Sequence, residues 1–506
     1  MTYPCTGYSL TNSAKKGQLG VHYWTLGPAW YSGGQITGRI ITMRAKSSLL
    51  LVLFVSTFLL ASLSSAQVRP RETRQAPRSP QEQASEVGKF SGPGSCAASN
   101  CHGAVQPKTV ARIAQNEYSI WAAQDKHARA YSVLSNSVSL RMAKILGLPD
   151  APNKSDRCLN CHALNVKPEL RAQTFQSIDD GVSCENCHGP AVGWLGPHTV
   201  KNWTHEQSLR VGMYDTRDLV KQSERCLSCH IGTREKEVDH AMLAAGHPDL
   251  TFQLESFSSA MPRHWKPPQN ASPWFSVQEL AVGEAVQLRE ALNRLNRRAS
   301  GPNWPEYSEY ECFACHHSLT KPEASWRQAL GYDGRPAGAP AWNPATFAVF
   351  RHIAGALDPA SANQLVSQLS KIEHLSGKPG NGEQVASLAK GAAEMADRIA
   401  QQMQAQPYDR NLAARLLRDI ADDADKISTL GERSAEQATM ALDSLALAYS
   451  KNEQPANQQE LRAAITSLFQ QLDNPSAYNA QRFAVQMRKV AALVPRAQAR
   501  ASGNGR

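Results

Sequence analysis

Apolar residues are spread very unevenly along this chain. Between Leu49 and Leu63 they form an almost unbroken run, preceded by Arg44 and Lys46 and followed by Ser64, Ser65 and Ala66. A basic start, an apolar middle and a small-residue end are the parts of a secretory signal, so residues 43–66 read as a signal peptide beginning at Met43. The run is shorter than the roughly 20 residues a spanning helix needs; an uncleaved signal anchor, and with it membrane association, is the alternative reading. Residues 1–42 are rich in Gly, Tyr and Ser, lack acidic residues and show no periodicity. They read as an upstream extension from a misassigned start. Residues 67–93, rich in Pro, Gln, Arg and Ser, read as a disordered linker.

From about residue 94 to 275 no period is sustained. A helix is then predicted over 276–299, where Leu280, Val282, Ala285, Leu288, Leu292 and Leu295 recur on one face. It should pack on the preceding region or on the last part of the chain. From Asn343-Pro344, a cap followed by a favoured first-turn residue, helical spacing dominates. Helices are expected at about 359–374, 381–404, 409–430, 434–450, 458–473 and 476–494. Leu412, Leu416, Ile420, Ala424 and Ile427 mark one apolar face, and Phe483, Met487, Val490 and Val494 another. The fold class is therefore mainly α. A helical bundle over 339–496 follows a region, 94–338, with much irregular structure; 497–506 read as a disordered tail.

The irregular region carries the chemistry. Ten of the eleven cysteines form five pairs, each ending in a cysteine-histidine dipeptide: Cys96 and Cys101-His102, Cys158 and Cys161-His162, Cys184 and Cys187-His188, Cys226 and Cys229-His230, Cys312 and Cys315-His316. The last four have the spacing of a c-type haem attachment, and the first has two extra residues between its cysteines. Two thiols can add to the porphyrin vinyl groups as thioethers, and the next histidine then reaches the iron. Zinc sites, redox dithiols and disulfide frameworks also use paired cysteines, but none requires the following histidine. Histidine is only 15 of 506 residues, so five coincidences are not credible. Five covalently bound haem c groups are expected, with so few residues per motif that stacked porphyrins must supply much of the interior.

Composition adds two points. All cysteines but Cys5, which lies in the doubtful extension, are used by motifs, as suits an exported, periplasmic protein whose spare thiols would otherwise oxidise. Lys15, Lys16, Arg39, Arg44 and Lys46 supply half of the formal charge of +10. Haem propionates offset most of the remainder, at about −1 per ferric group. Nucleic-acid binding is not expected.

Function turns on the sixth ligands. An iron held by two histidines only relays electrons, whereas one lacking the second can bind a small molecule. The spare histidines are His127, His198, His205, His240, His247, His264 and His317. His205 and His264 read as surface or packing residues, as do His352 and His374 in the bundle. Methionine is sparse here (Met142, Met213, Met242, Met261).

Trp121–Ala128 (WAAQDKHA) and Gly181–Pro190 (GVSCENCHGP), with His198 beyond, resemble the cytochrome c-554 family over about residues 96–230. Its members are tetrahaem electron carriers related in haem packing to hydroxylamine oxidoreductase and the pentahaem nitrite reductases. The resemblance implies that His127 serves the haem on His188, that His198 serves the haem on His102, and that the haem on His162 is five-coordinate. The stretches Ala245–Phe252 and Met261–Trp265 resemble larger multihaem proteins of that superfamily, which implies a distal role for His247. His317 points away from its own haem and can reach a neighbour, and His240 is a further candidate. The fifth motif and the bundle lie outside the likeness. The expected function is single-electron transfer with redox partner proteins. The alternative is an oxidoreductase acting on a small nitrogen or sulfur compound at one five-coordinate haem, although the lysine-bearing motif of the nitrite reductases is missing. In a third reading, the bundle is a docking or sensing module.

Overall fold

The structure, a computed structural model, describes residues 88–109, 113–266, 271–312, 315–316, 340–378 and 380–494, all of them within the compact unit Pro80–Arg506. The signal, the upstream extension, most of the linker, His317 and the tail lie outside the described residues. Among these, secondary structure is helical, with only isolated β-bridges such as Phe90 to Arg171. No described helix is long and apolar enough to cross a membrane.

Helices in the first half are short and placed by the motifs. Those used below are α1 (Glu117–Gln124), α2 (Asp156–His162), α3 (Cys184–His188), α4 (Leu219–Leu227) and α5 (His240–Ala245). The second, third and fourth motifs each sit on a helical turn, the fourth running from α4 into a π-helical turn, Ser228–Gly232. Loops between them are held by side chains rather than by ladders. Glu185 is 1% exposed, and its carboxylate accepts from the backbone N–H groups of Ser91 (2.9 Å), Gly92 (2.7 Å) and Ala191 (2.6 Å). One buried carboxylate thus ties the approach to the first motif onto the third.

The long helix α6 (Phe275–Ala299) begins one residue before its predicted start. Its expected face is buried, and so are Ala281, Val286, Glu284 and Gln287 around it. The additional burial arises because α6 is covered on several sides. It packs most extensively on α8 (Gly382–Ala405), and also on α4. α7 (Pro359–Ser376) also packs on α8. The rest of the bundle is α9 (Arg410–Asp422), α10 (Ala424–Thr429), α11 (Glu432–Glu453), α12 (Gln458–Leu472) and α13 (Ala480–Leu493). The helix expected over 409–430 is two helices. Asp423 leaves helical geometry, and its carboxylate takes Arg351 and the Nε2 of His352 (2.8 Å). One hydrophobic cluster runs from Leu219 on α4 through α6 to Val494. Each fully buried leucine in it contributes roughly 2 kcal/mol.

Glu284 is an exception inside that cluster. Gln437 donates to its Oε1 at 2.6 Å, while its Oε2 has no partner. Burial pushes its carboxyl up to about 8 from 4.5. A raised folded-state pKa gives stability that is complete below the unfolded value and is lost as pH climbs through the folded one. Glu284→Gln is therefore expected to leave the melting temperature unchanged near pH 4 and to stabilise by about 1–3 kcal/mol near pH 9. Thermal melts across that range check it, and an equal effect at both ends would refute it.

Candidate haem sites

All ten motif cysteines carry free thiols, as covalent attachment requires. They are also grouped in space. The Cys96 thiol acts on that of Cys184, and the Cys229 thiol on that of Cys161, so the first motif lies beside the third and the second beside the fourth. The Cys161 thiol lowers the pKa of the Cys229 thiol, assisted by the Lys236 ammonium 3.3 Å from its sulfur. In the wide first motif the backbone doubles back from His102 to Cys96, N to O 3.2 Å. The next residue is Gly103, because a side chain there would run into the Ala97 carbonyl.

Histidines that are remote in sequence face each other in four pairs. Ring centroids are 6.2 Å apart for His102 and His198, 6.5 Å for His127 and His230, 6.5 Å for His162 and His247, and 6.2 Å for His240 and His316. Interplanar angles are 12°, 89°, 89° and 23° respectively. The spacing stays within 6.2–6.5 Å while the angle runs from 12° to 89°, a narrower spread than rings in direct contact would keep. A shared atom between two nitrogens fixes the spacing whatever the angle. Two metal–imidazole bonds of about 2 Å, plus about 1 Å from each nitrogen to its ring centre, give roughly 6 Å.

The tautomers agree with that geometry. His102 places Nδ1 3.0 Å from Glu117, and His127 places Nδ1 3.0 Å from Asp125. His162, His198 and His247 donate Nδ1–H to the carbonyls of Ala130 (2.9 Å), Trp194 (2.9 Å) and Pro248 (2.8 Å). Fixing the proton on Nδ1 leaves Nε2 with a lone pair for a metal. Burial lowers His230 to about 4, which keeps it neutral as well. The residues present therefore fit haem c: thiol pairs for the vinyl groups, a motif histidine on one side and a facing histidine on the other.

The ring pairs differ in two places from those the resemblance implies. His127 faces His230 and not His188, because its ring is aimed by Asp125. That residue is 4% exposed, caps the Lys126–Arg129 turn and binds both the N–H and Nδ1 of His127. His162, expected to lack a partner, has His247 opposite. His198 and His102, which the resemblance implies share a haem, do have facing rings.

The two quoted sequence stretches owe their spacing to a shared contact. Val182 N–H donates to the His127 carbonyl at 3.0 Å, and Trp121 Nε1–H donates to the Val182 carbonyl at 3.0 Å. Gly181, at φ +74°, lies where a Cβ would approach the His127 carbonyl within 2.6 Å.

Other histidines are used elsewhere. His205 gives Nε2 to Asp215 (2.9 Å) and His352 gives Nε2 to Asp423, so both are packing residues. Sequence reasoning missed Glu117, Asp125 and Trp194 as the anchors of the facing histidine rings. Asp125 stands two residues before His127, a local signal, whereas Glu117 lies fifteen residues beyond His102.

Residues 95–189 match the family described as Cytochrome c554 and c-prime. Cytochrome c-554 of Nitrosomonas europaea is 28% identical over 116 residues, covering 21% of this chain and 48% of that protein. The chain thus spans about half the length of the curated relative it matches. No solved structure matches.

Proposed function

We infer, for a chain that is a c-type cytochrome resembling the cytochrome c554 family, that it is an exported five-haem protein passing single electrons between redox partners. Its setting on this reading is a periplasmic respiratory or nitrogen/sulfur redox chain. Haem c, when bound, supplies a one-electron iron couple, and the protein supplies placement and ligand strength. The observation that carries the reading is the set of four facing histidine pairs, since saturated irons suit transfer and not substrate binding. The closeness of the first motif to the third, and of the second to the fourth, supports electron exchange between their haems.

Haem content and electron paramagnetic resonance test it. Parallel imidazole planes split the iron d-orbitals, whereas perpendicular planes leave them nearly equal and make the signal highly anisotropic. The pairs at 12° and 23° should give two rhombic low-spin signals, and the two at 89° should give two highly anisotropic ones. Fewer than five haems by pyridine haemochrome assay, or no low-spin signals, would overturn the reading.

Ligand strength is open to test at Asp125. A carboxylate on Nδ1 makes the imidazole a stronger donor and favours ferric iron. Asp125→Asn is expected to raise the potential of one haem by on the order of 50 mV, the equivalent of about a tenfold loss of ferric preference. Spectropotentiometry should show one component moving and the others fixed.

The competing reading, a small-molecule oxidoreductase, needs an iron without a second protein ligand. Among the described residues, His188 is the motif histidine with no ring at the common spacing, and it is the one place that favours that reading.

A further inference from the structure

We propose that Phe252 and Phe257 are positioning residues for the fourth haem: their rings hold the imidazole plane of His230 across that of His127. This rests on the reading of the facing histidines as ligand pairs.

His230 is held differently from the ring it faces. The plane of His127 is set by the Asp125 carboxylate on its Nδ1, and the rings of His102, His162, His198 and His247 are aimed by Nδ1 in the same way. Among the described residues, none hydrogen-bonds the ring of His230. Its contacts are aromatic instead. Phe252 lies tilted over it, with centroids 5.0 Å apart and planes at 32°, and Phe257 stands edge-on at 5.3 Å and 75°. The two phenylalanines touch each other at 4.8 Å. All three spacings are those of packed aromatic rings. A ligated imidazole can turn about its bond to the metal, and only its neighbours stop it. For His230 those neighbours are a ring on its face and a ring at its side.

Both rings are fixed from behind. Phe252 is 2% exposed and belongs to the hydrophobic cluster of the bundle, and Phe257 packs against that cluster. On one side of Phe252, Thr251 donates to Glu436 of α11 at 3.0 Å. On the other, the Gln253 side-chain oxygen accepts from the Ser444 hydroxyl of α11 at 3.3 Å and from Ser256 N–H at 2.6 Å. The second of these bonds caps the helix Leu254–Ala260, which carries Phe257. That helix sits close on α6 because Gly283 has no side chain; a Cβ there would come within 2.6 Å of the Leu254 Cβ.

The stretch that turns His247 towards His162 therefore also turns Phe252 onto His230. Its footing is α11, far beyond the residues 95–189 that match the family. The bundle thereby acquires a part in the chemistry: it fixes the angle between two imidazoles, and that angle sets the splitting of the iron d-orbitals.

The test uses the full-length protein carrying its haems, with paramagnetic resonance of the ferric form. The parent should show two highly anisotropic low-spin signals; their absence would sink the ligand-pair reading itself, before any phenylalanine is changed. His247→Ala should remove the one from the second haem, so that the survivor belongs to His127 and His230. Phe252→Ala would open a cavity in the core, so the informative variants are Phe252→Leu and Phe257→Leu, which keep most of the volume. In the His247→Ala background each should replace the surviving anisotropic signal by a rhombic low-spin one, with the haem count unchanged. Phe483→Leu, at a fully buried phenylalanine elsewhere in the bundle, should leave that signal in place. The proposal is overturned if the anisotropic signal survives both leucine variants, or if Phe483→Leu alters it equally. Loss of a haem in both leucine variants also overturns it, because the two rings would then hold the cofactor and not aim its ligand.

Discussion

Replacing His198 by alanine is expected to remove one of the two rhombic low-spin signals and create a high-spin haem that binds carbon monoxide. His198 faces His102 at 6.2 Å with planes only 12° apart, so the lost signal must come from a near-parallel pair. Without the second imidazole, ferric iron loses a strong donor, and the potential of that haem should rise by on the order of 0.1 V. The fold should tolerate the change. His198 sits in the short Pro197–Thr199 turn, and its ring Nδ1–H bonds locally to the Trp194 carbonyl. Losing it costs about 1 kcal/mol. Unaltered paramagnetic resonance spectra would mean that His198 is not a ligand.

The largest expected loss of stability comes from Glu309→Ala. Glu309 is fully buried between two arginines: Arg294 donates at 2.8 and 3.2 Å, and Arg298 at 2.7 Å. The same guanidinium groups reach the carbonyls of Ile231 (3.3 Å) and Val238 (3.0 Å), holding the loop after the fourth motif against α6. The charges of Arg294 and Arg298 outweigh the burial that would raise its pKa, so Glu309 is held below the usual carboxylate range. Alanine leaves Arg294 without its carboxylate and Arg298 with only Glu237, 3.9 Å away, at a cost of about 3–5 kcal/mol. Arg488 and Asp425 offer a contrast at 49% and 84% exposure; breaking that pair should cost no more than about 0.5 kcal/mol. Denaturant titrations of both variants check the comparison. Comparable losses would mean that the Glu309 cluster is not a buried, coupled one.

The parts of this protein that were legible in sequence are those whose chemistry is local. A thiol pair and the adjacent histidine must be neighbours in the chain because one porphyrin takes all three, so the motifs could be read directly. Amphipathic spacing likewise revealed α6 and most bundle helices to within a few residues. The break at Asp423 was hidden, since it is set by Arg351 and His352 some seventy residues away. Pairing of the distal histidines was hidden for the same reason. His127 carries an anchor two residues earlier, but which motif it faces depends on how Gly181 and Trp121 seat the two stretches together. His198, by contrast, follows the third motif closely, and its ring faces the one the resemblance implies. The breadth of α6 burial could not be read either, because Glu284 and Gln287 look like solvent positions until α11 brings Gln437 against them.

The hydrophobic cluster that joins α4 to the bundle also has a bearing on how the protein matures. A chain is made from its N-terminus, so the first three motifs are complete long before α6 and α8 exist. The first and third are tied together by Glu185 and can reach final form early, while the second waits only for His247. The fourth motif leans on Leu219, Val220 and Leu227, which are buried against helices made afterwards. Its loop is clamped by Arg294 and Arg298, which are also made later. Haem insertion should therefore leave a recognisable order: chains halted before α8 would hold the early haems in native spectra while the fourth remained unsettled.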